Sequence, residues 1–180
     1  MKNFRREDLL FSLCGLNCAL CIMKLGGYCP GCGGGAGNQS CSIACCSLEH
    51  GSCDYCFECR GYPCSQYDEI TGSDSFITHK NQLKDLEKAK KIGIAAYHAE
   101  INAKAVLFQN LLENYNDGRR KTFFALAVNL LEVSDICAAV EKTKAELSTE
   151  DTLKERARLV SHYIEEAAER NGIILKLRKK

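Results

Sequence analysis

The sequence predicts a small, irregular, metal-stabilised cysteine-rich domain followed by an all-α helical bundle, and therefore a mainly α protein. Three observations lead to this prediction. Twelve of the thirteen cysteines lie between Cys14 and Cys64, the loops between them are rich in glycine and polar residues and poor in apolar ones, and the rest of the chain repeats apolar residues at three- and four-residue steps, which is typical of helices. We place the two predicted domains at residues 1–79 and 80–180.

Composition and charge narrow the classes of function. The chain has 180 residues, a formal net charge of +1 and 26% charged residues, which gives no global electrostatic reason to expect nucleic acid or an acidic membrane as a partner. It contains no apolar run of about 18 residues, so a membrane span is not expected, and its start does not read as a signal peptide. We therefore expect a cytoplasmic protein, in which thiols stay reduced and dense cysteine indicates metal or catalysis more often than disulfides.

The second region predicts four helices. A short one covers about residues 80 to 90 and ends before Gly93, and the next runs from about 94 to 115. A single helix is predicted from about 119 to 146. Ser148 and Thr149 are the predicted N-cap residues of the last helix, and Asn171-Gly172 supplies a residue able to take positive φ where it ends.

The cysteine spacing indicates bound metal. Two cysteines in a C-x2-C turn can direct both sulfurs at one ion while backbone amides donate to them. Polar loops of this kind bury little apolar surface, so a metal would supply missing stability, on the order of 10 kcal/mol or more for a structural zinc site. The four C-x2-C pairs are Cys18/Cys21, Cys29/Cys32, Cys53/Cys56 and Cys56/Cys59.

Zinc and an iron–sulfur cluster are both compatible with this spacing, because both use thiolate ligands at such turns. The run Cys53-x2-Cys56-x2-Cys59-x4-Cys64 comes within one residue of the bacterial ferredoxin pattern, but Pro63 precedes the last cysteine instead of following it. The number of ions and the cysteines that share each ion stay open.

Four motifs carry a resemblance to a known family: C-G-L-N-C-A-L-C at 14 to 21, C-P-G-C at 29 to 32, C-S-I-A-C-C at 41 to 46 and C-F-E-C-R-G-Y-P-C at 56 to 64. Over about residues 12 to 70 the chain resembles an uncharacterised cysteine-rich family of bacteria and archaea that is presumed to bind zinc. The resemblance implies a set of metal ligands but no reaction, and it leaves Cys45 and Cys53 open. The implied ligands are Cys14, Cys18, Cys21, Cys29, Cys32, Cys41, Cys46, Cys56, Cys59 and Cys64.

The sequence thus predicts a non-enzymatic zinc-binding protein whose structural thiolate sites support a surface for a protein or nucleic-acid partner. A zinc ion with four thiolates is closed to substrate, which argues against catalysis. One alternative is an iron–sulfur protein for electron transfer or redox sensing. The other is a metal-dependent enzyme or a metal-handling protein with a labile site.

Overall fold

The computed structural model describes residues 3–35, 41–70 and 72–179. Within these ranges the chain forms eight α-helices, two short 3-10 turns and no β-strand, so the predicted mainly α class is confirmed. Across the same ranges, no helix combines the length and the apolar character needed to cross a membrane. The 3-10 turns are Cys18–Leu20 and Cys56–Glu58, and the helices are α1 (Ile22–Leu25), α2 (Ser42–Glu49), α3 (Gln66–Ile70), α4 (Gln82–Ile92), α5 (Ile94–Asn114), α6 (Lys121–Leu130), α7 (Val133–Glu146) and α8 (Leu153–Arg170).

Helices α4 and α5 lie where the apolar spacing predicts them. Gly93 separates them with φ of 85°, which glycine adopts readily because it has no Cβ. Leu86 and Ala89 of α4 are fully buried, as are Tyr97 and Ile101 of α5 to within a few per cent. The buried residues of each helix therefore lie on one stripe, as the sequence pattern predicts.

The single helix predicted over 119–146 is wrong. The structure divides this segment into α6 and α7, and the backbone is extended at Leu131 and Glu132 between them. All eight residues from Phe124 to Leu131 are buried, which is more than one face of a helix, whereas α7 buries a single face that packs against α8. One continuous amphipathic helix could not satisfy both demands, and no glycine or proline marks the break in the sequence.

Helix α8 begins later than predicted, so the assignment of Ser148 and Thr149 as its N-cap is wrong. The N-cap is Thr152, whose Oγ1 accepts a hydrogen bond from the Glu155 N–H at 3.3 Å, while a Glu155 carboxylate oxygen accepts one from the Thr152 N–H at 2.8 Å. This reciprocal capping box satisfies two helix-end donors. The predicted end is confirmed, since Gly172 takes φ of 65° directly after the helix.

The chain forms two compact units, Met1–Asn102 with Leu177–Lys180, and Ala103–Lys176. The first unit contains all twelve clustered cysteines and also α4 and the start of α5. Polar contacts tie these helices to the cysteine-rich segment: Asn17 donates to Asp85 at 3.0 Å, and the Tyr97 hydroxyl donates to Asn17 at 3.1 Å. The division into a cysteine-rich domain at residues 1–79 and a helical bundle domain at residues 80–180 stays a prediction.

An apolar core underlies the cysteines of the first unit. Phe11 and Leu13 are almost completely buried, and the Phe11 ring lies 4.8 Å from the Tyr97 ring. A second cluster consists of Phe4, Leu13, Ile43 and Ala44, with Cys14, Cys32, Cys53, Cys56 and Ile70 packed against it. The segment is thus better supplied with apolar contacts than its loop composition suggests.

Candidate metal centre

The cysteines of the first unit include two groups that differ in their neighbours. The first group, which we call the inner group, consists of Cys14, Cys18 and Cys32. Within this group, Cys32 affects the pKa of both other cysteines and Cys14 affects that of Cys18, through a hydrogen bond or through charge. What we call the outer group lines a single pocket, and it consists of Cys46, Cys53, Cys56, Cys59 and Cys64.

Cys14 has surroundings that oppose a bare thiolate and yet supply donors for one. Burial, together with the negative charges that Cys32 and Cys41 would carry, raises the pKa of its thiol from 9.0 to about 11. The Ser12 hydroxyl lies 3.3 Å from the Cys14 sulfur and lowers the pKa in part. The thiolate form of Cys14 is therefore unfavourable unless a positive charge compensates it.

Cys18 and Cys32 receive backbone hydrogen bonds at sulfur. Burial raises the pKa of Cys18 to about 12, although the Cys32 N–H donates to its sulfur. Burial likewise raises the pKa of Cys32, against a hydrogen bond from the Leu13 N–H and the positive charge of Arg6. Backbone amides directed at sulfur are the usual partners of metal-bound thiolates in turns of this kind.

Arg6 brings a buried cation to the inner group. Its guanidinium donates to the carbonyl oxygens of Asp54 at 3.0 Å and Phe11 at 2.9 Å and lies 5.1 Å from the centre of the Tyr55 ring. Its Nη2 is buried and has no hydrogen-bond partner of normal geometry among the described residues. A buried guanidinium is costly unless negative charge lies nearby, and thiolates of the inner group would supply that charge.

Gln82, the first residue of α4, is a second unsatisfied group beside the inner sulfurs. It is 1% exposed, and within the described part of the chain neither its amide oxygen nor its amide nitrogen has a partner of normal geometry. Its side chain is nevertheless close enough to the Cys14 sulfur to lower the pKa of that thiol. An amide left unsatisfied in the core costs about 1–3 kcal/mol, which a strongly accepting thiolate would reduce.

The outer group lies around a small pocket. Helix α2 contributes Cys46, the second 3-10 turn contributes Cys56, and Cys64 lies just before α3. The ring of Tyr67 and the side chain of Ile43 complete much of the wall. Five sulfurs and an apolar lining thus share one concavity.

Hydroxyl and imidazole groups contact the outer sulfurs. Burial raises the pKa of Cys56 to about 12, against a hydrogen bond from the Tyr67 hydroxyl. The Ser47 hydroxyl lies 3.7 Å from the Cys53 sulfur, and Nδ1 of the exposed His50 lies 3.6 Å from the Cys46 sulfur. The outer sulfurs thus have side-chain groups as their polar neighbours, whereas Cys18 and Cys32 have backbone amides.

Three other predicted ligands lie outside these groups. Cys41 precedes α2 and acts electrostatically on both Cys14 and Cys32, whereas Cys21 acts on Cys18. Cys29 follows α1, donates its N–H to the Met23 carbonyl oxygen at 3.1 Å, and does not line the pocket.

No set of three or more histidine, cysteine, aspartate or glutamate side chains within residues 3–35, 41–70 and 72–179 converges on a point as metal ligands. In both the inner and the outer group, the cysteine side chains would therefore have to turn toward one another to surround an ion.

The comparisons with known proteins add no name to this site: no family model, no curated protein and no solved structure matches the chain. The resemblance to the cysteine-rich family therefore stays a prediction from its motifs.

Sequence reasoning missed Arg6 and Gln82. Neither residue belongs to a cysteine motif, and Gln82 lies 68 residues from Cys14 along the chain. Cys53 is outside the family pattern, but its place on the pocket wall puts it with Cys56 and Cys59, as the C-x2-C spacing alone predicts.

Proposed function

We propose that the protein is a non-enzymatic zinc-binding protein and that the inner group holds a structural zinc ion. Cys14, Cys18 and Cys32 supply three thiolates. Cys41 is the fourth ligand in this proposal, because it acts electrostatically on two of the three. The ion stabilises the cysteine-rich segment against α4, which makes this segment the metal-stabilised part of the fold.

The observation that carries the proposal is the set of donors directed at the inner sulfurs. The Leu13 and Cys32 amides, the Ser12 hydroxyl and the Arg6 guanidinium all favour negative sulfur. Burial and mutual repulsion oppose it, so without an ion these donors face neutral thiols, which accept hydrogen bonds weakly. Zinc removes this conflict, because its charge stabilises thiolates and the thiolates then satisfy the donors.

A site of four thiolates supports a structural role. Catalytic zinc sites keep a position for water or substrate, commonly beside histidine or carboxylate ligands. Four sulfurs leave no such position. The predicted partner of the protein, another protein or a nucleic acid, stays a prediction.

Metal analysis of anaerobically purified protein tests the proposal. We expect zinc in the wild-type chain and the loss of one equivalent in Cys18→Ser, because serine is a poor zinc ligand. Cys137→Ser is the matched control, since Cys137 lies in α7 of the second unit, and it should keep the wild-type zinc content. A wild-type chain without metal, or a Cys18→Ser variant with its full zinc content, would contradict the proposal.

A second candidate function has one specific observation in its favour. The four cysteines of the ferredoxin-like run all line the same apolar pocket, and an apolar surround is a common setting for iron–sulfur clusters. The alternative is an electron carrier or a redox sensor with a cluster at Cys53, Cys56, Cys59 and Cys64. Visible absorption and iron with acid-labile sulfide in the anaerobic protein support it, whereas a colourless, zinc-loaded sample excludes it.

A further inference from the structure

The outer pocket opens to solvent at its sulfur-lined end. An outer groove there is lined by Cys46, Cys53, Cys59 and Cys64 together with Glu58 and Arg60. Cys64 is exposed, and the other four sulfur-bearing residues of the outer group are partly exposed. A small chelator or the thiolate of another molecule can therefore reach this group directly.

The polar groups that contact the outer sulfurs also have other partners. The Ser47 hydroxyl donates to the Cys53 carbonyl oxygen at 3.1 Å. Nδ1 of His50 lies 2.8 Å from the Cys46 carbonyl oxygen, and the Tyr67 hydroxyl donates to the Cys14 carbonyl oxygen at 3.4 Å. The sulfurs of Cys46, Cys53 and Cys56 can thus change their orientation without leaving these polar neighbours unsatisfied, unlike the sulfurs near Gln82 and Arg6.

The number of sulfurs matters as much as their exposure. A tetrahedral zinc ion takes four ligands, and the outer group contains five cysteines. Zinc has no geometric preference from its d electrons and can expand to five ligands. A fifth thiolate can therefore enter before another leaves, so the ion never has to become bare during exchange.

From these observations we propose that the outer group is a second zinc site with an exchangeable ion, and that Cys64 is the sulfur that enters and leaves. This inference depends on the proposed function, since it assumes that the chain binds zinc. The ion passes to a thiolate-bearing acceptor or a chelator in successive exchanges: each time a bond from zinc to an acceptor atom forms, a bond from zinc to a cysteine sulfur breaks, until all the cysteine sulfurs have been replaced. Zinc stays divalent, and the released cysteine thiolate takes a proton from water.

The rate of zinc release distinguishes an exchangeable ion at the outer group from a firmly held ion at the inner group. The full chain is reduced, loaded anaerobically with zinc, freed of unbound metal and mixed with an excess of a chromophoric chelator. We expect two phases in the wild-type chain, a fast one from the outer group and a slow one from the inner group. Cys14→Ser should lose the slow phase and keep the fast one.

Cys64→Ser gives the decisive result. Four outer cysteines remain, so the variant should still take up the outer ion, but the fast phase should slow several-fold because the spare sulfur is gone. An ordinary ligand would behave in the opposite way, since its loss speeds release. Cys45→Ser is the matched control, because Cys45 is an exposed cysteine of α2 that does not line the pocket, and its release should match that of the wild-type chain.

If Cys64→Ser does not fold by circular dichroism, Cys64→Ala carries the same expectation, because it removes the same spare sulfur and leaves the other four outer cysteines in place. Faster release or loss of the outer ion in the folded variant overturns the inference, and so does an iron–sulfur chromophore in the wild-type protein. A wild-type chain that holds only a slow ion, lost in Cys14→Ser, overturns the exchangeable site and leaves the proposed function intact. A wild-type chain that binds no zinc overturns both.

Discussion

Gln82 has a buried side-chain amide that lacks a hydrogen-bond partner among the described residues, which is unfavourable in the metal-free protein. The loop that carries Cys14 approaches α4 so closely that a Cβ on Gly15 would lie 2.5 Å from both the Gln82 carbonyl oxygen and the Leu86 Cγ. Gly15 also has φ of 93°, so only glycine permits this approach without strain. The close packing excludes water from the Gln82 amide and leaves the Cys14 sulfur as its neighbour.

Replacing this amide should therefore have opposite effects on the apo and the metal-bound protein. We predict that Gln82→Leu raises the free energy of unfolding of the apo protein by about 1 kcal/mol, because an unsatisfied buried amide is removed. The same change should weaken metal binding roughly tenfold, because a donor to the thiolate of Cys14 is lost. Urea unfolding of the apo chain and competitive titration with Co²⁺ measure the two effects.

Gln109→Leu is the matched control, since Gln109 is an exposed residue of α5, and it should leave metal affinity unchanged. The spectrum of bound Co²⁺ should shift in Gln82→Leu, because the donor acts on a ligand sulfur. If affinity and spectrum both match the wild-type protein, Gln82 only fills space.

The sequence could identify the sulfurs but not their grouping. Spacing marks each C-x2-C pair, yet the inner group takes Cys32 without its turn partner Cys29, and the outer group adds Cys46 from a helix. Such groups depend on how loops pack in three dimensions, which no short spacing records. Donors such as Arg6 are harder still to predict, because an arginine near the N-terminus reads as a solvated residue until its burial is known.

The two ends of helix α8 differ in how well the local sequence predicts them. The end of α8 at Gly172 is local, since it needs a residue that adopts positive φ. Its start is less clear in the sequence, because Ser148, Thr149 and Thr152 are all good N-cap residues. Thr152 and Glu155 form the capping box, but Asp151 also lies three positions after Ser148 and accepts a hydrogen bond from its N–H at 2.6 Å. The spacing alone therefore does not select Thr152.

Two threonine variants test the assignment of Thr152 as the N-cap. We predict that Thr152→Ala lowers the free energy of unfolding by about 1 kcal/mol, because the first turn of α8 loses a capping acceptor. Thr149→Ala removes the same atoms from an exposed residue of the preceding loop, so it should have little effect. Thermal and urea unfolding of both variants give the comparison, and an equal loss in the two would show that the capping box contributes nothing.

The two compact units of the molecule are stabilised in different ways. In the second unit α7 and α8 pack together through continuous apolar faces, with Ile136, Val160 and Ile164 buried. In the first unit an apolar core is joined to polar networks, in which Asp8 accepts hydrogen bonds from the Tyr55 hydroxyl at 2.7 Å and from the Leu10 and Phe11 amides. Metal should therefore affect the two units unequally.

Amide hydrogen exchange before and after zinc removal measures this inequality at individual residues. The N–H groups of Leu13 and Cys32 donate to sulfur, and a protonated thiol accepts more weakly than a metal-bound thiolate. We predict that a strong chelator increases the exchange rates of these two amides several-fold, while Val160 and Ile164 inside α8 keep theirs. Exchange that rises together in both places would mean that the chain unfolds as a whole. Unchanged exchange at Leu13 and Cys32 would mean that no ion depends on their sulfur partners, which contradicts a zinc site at the inner group.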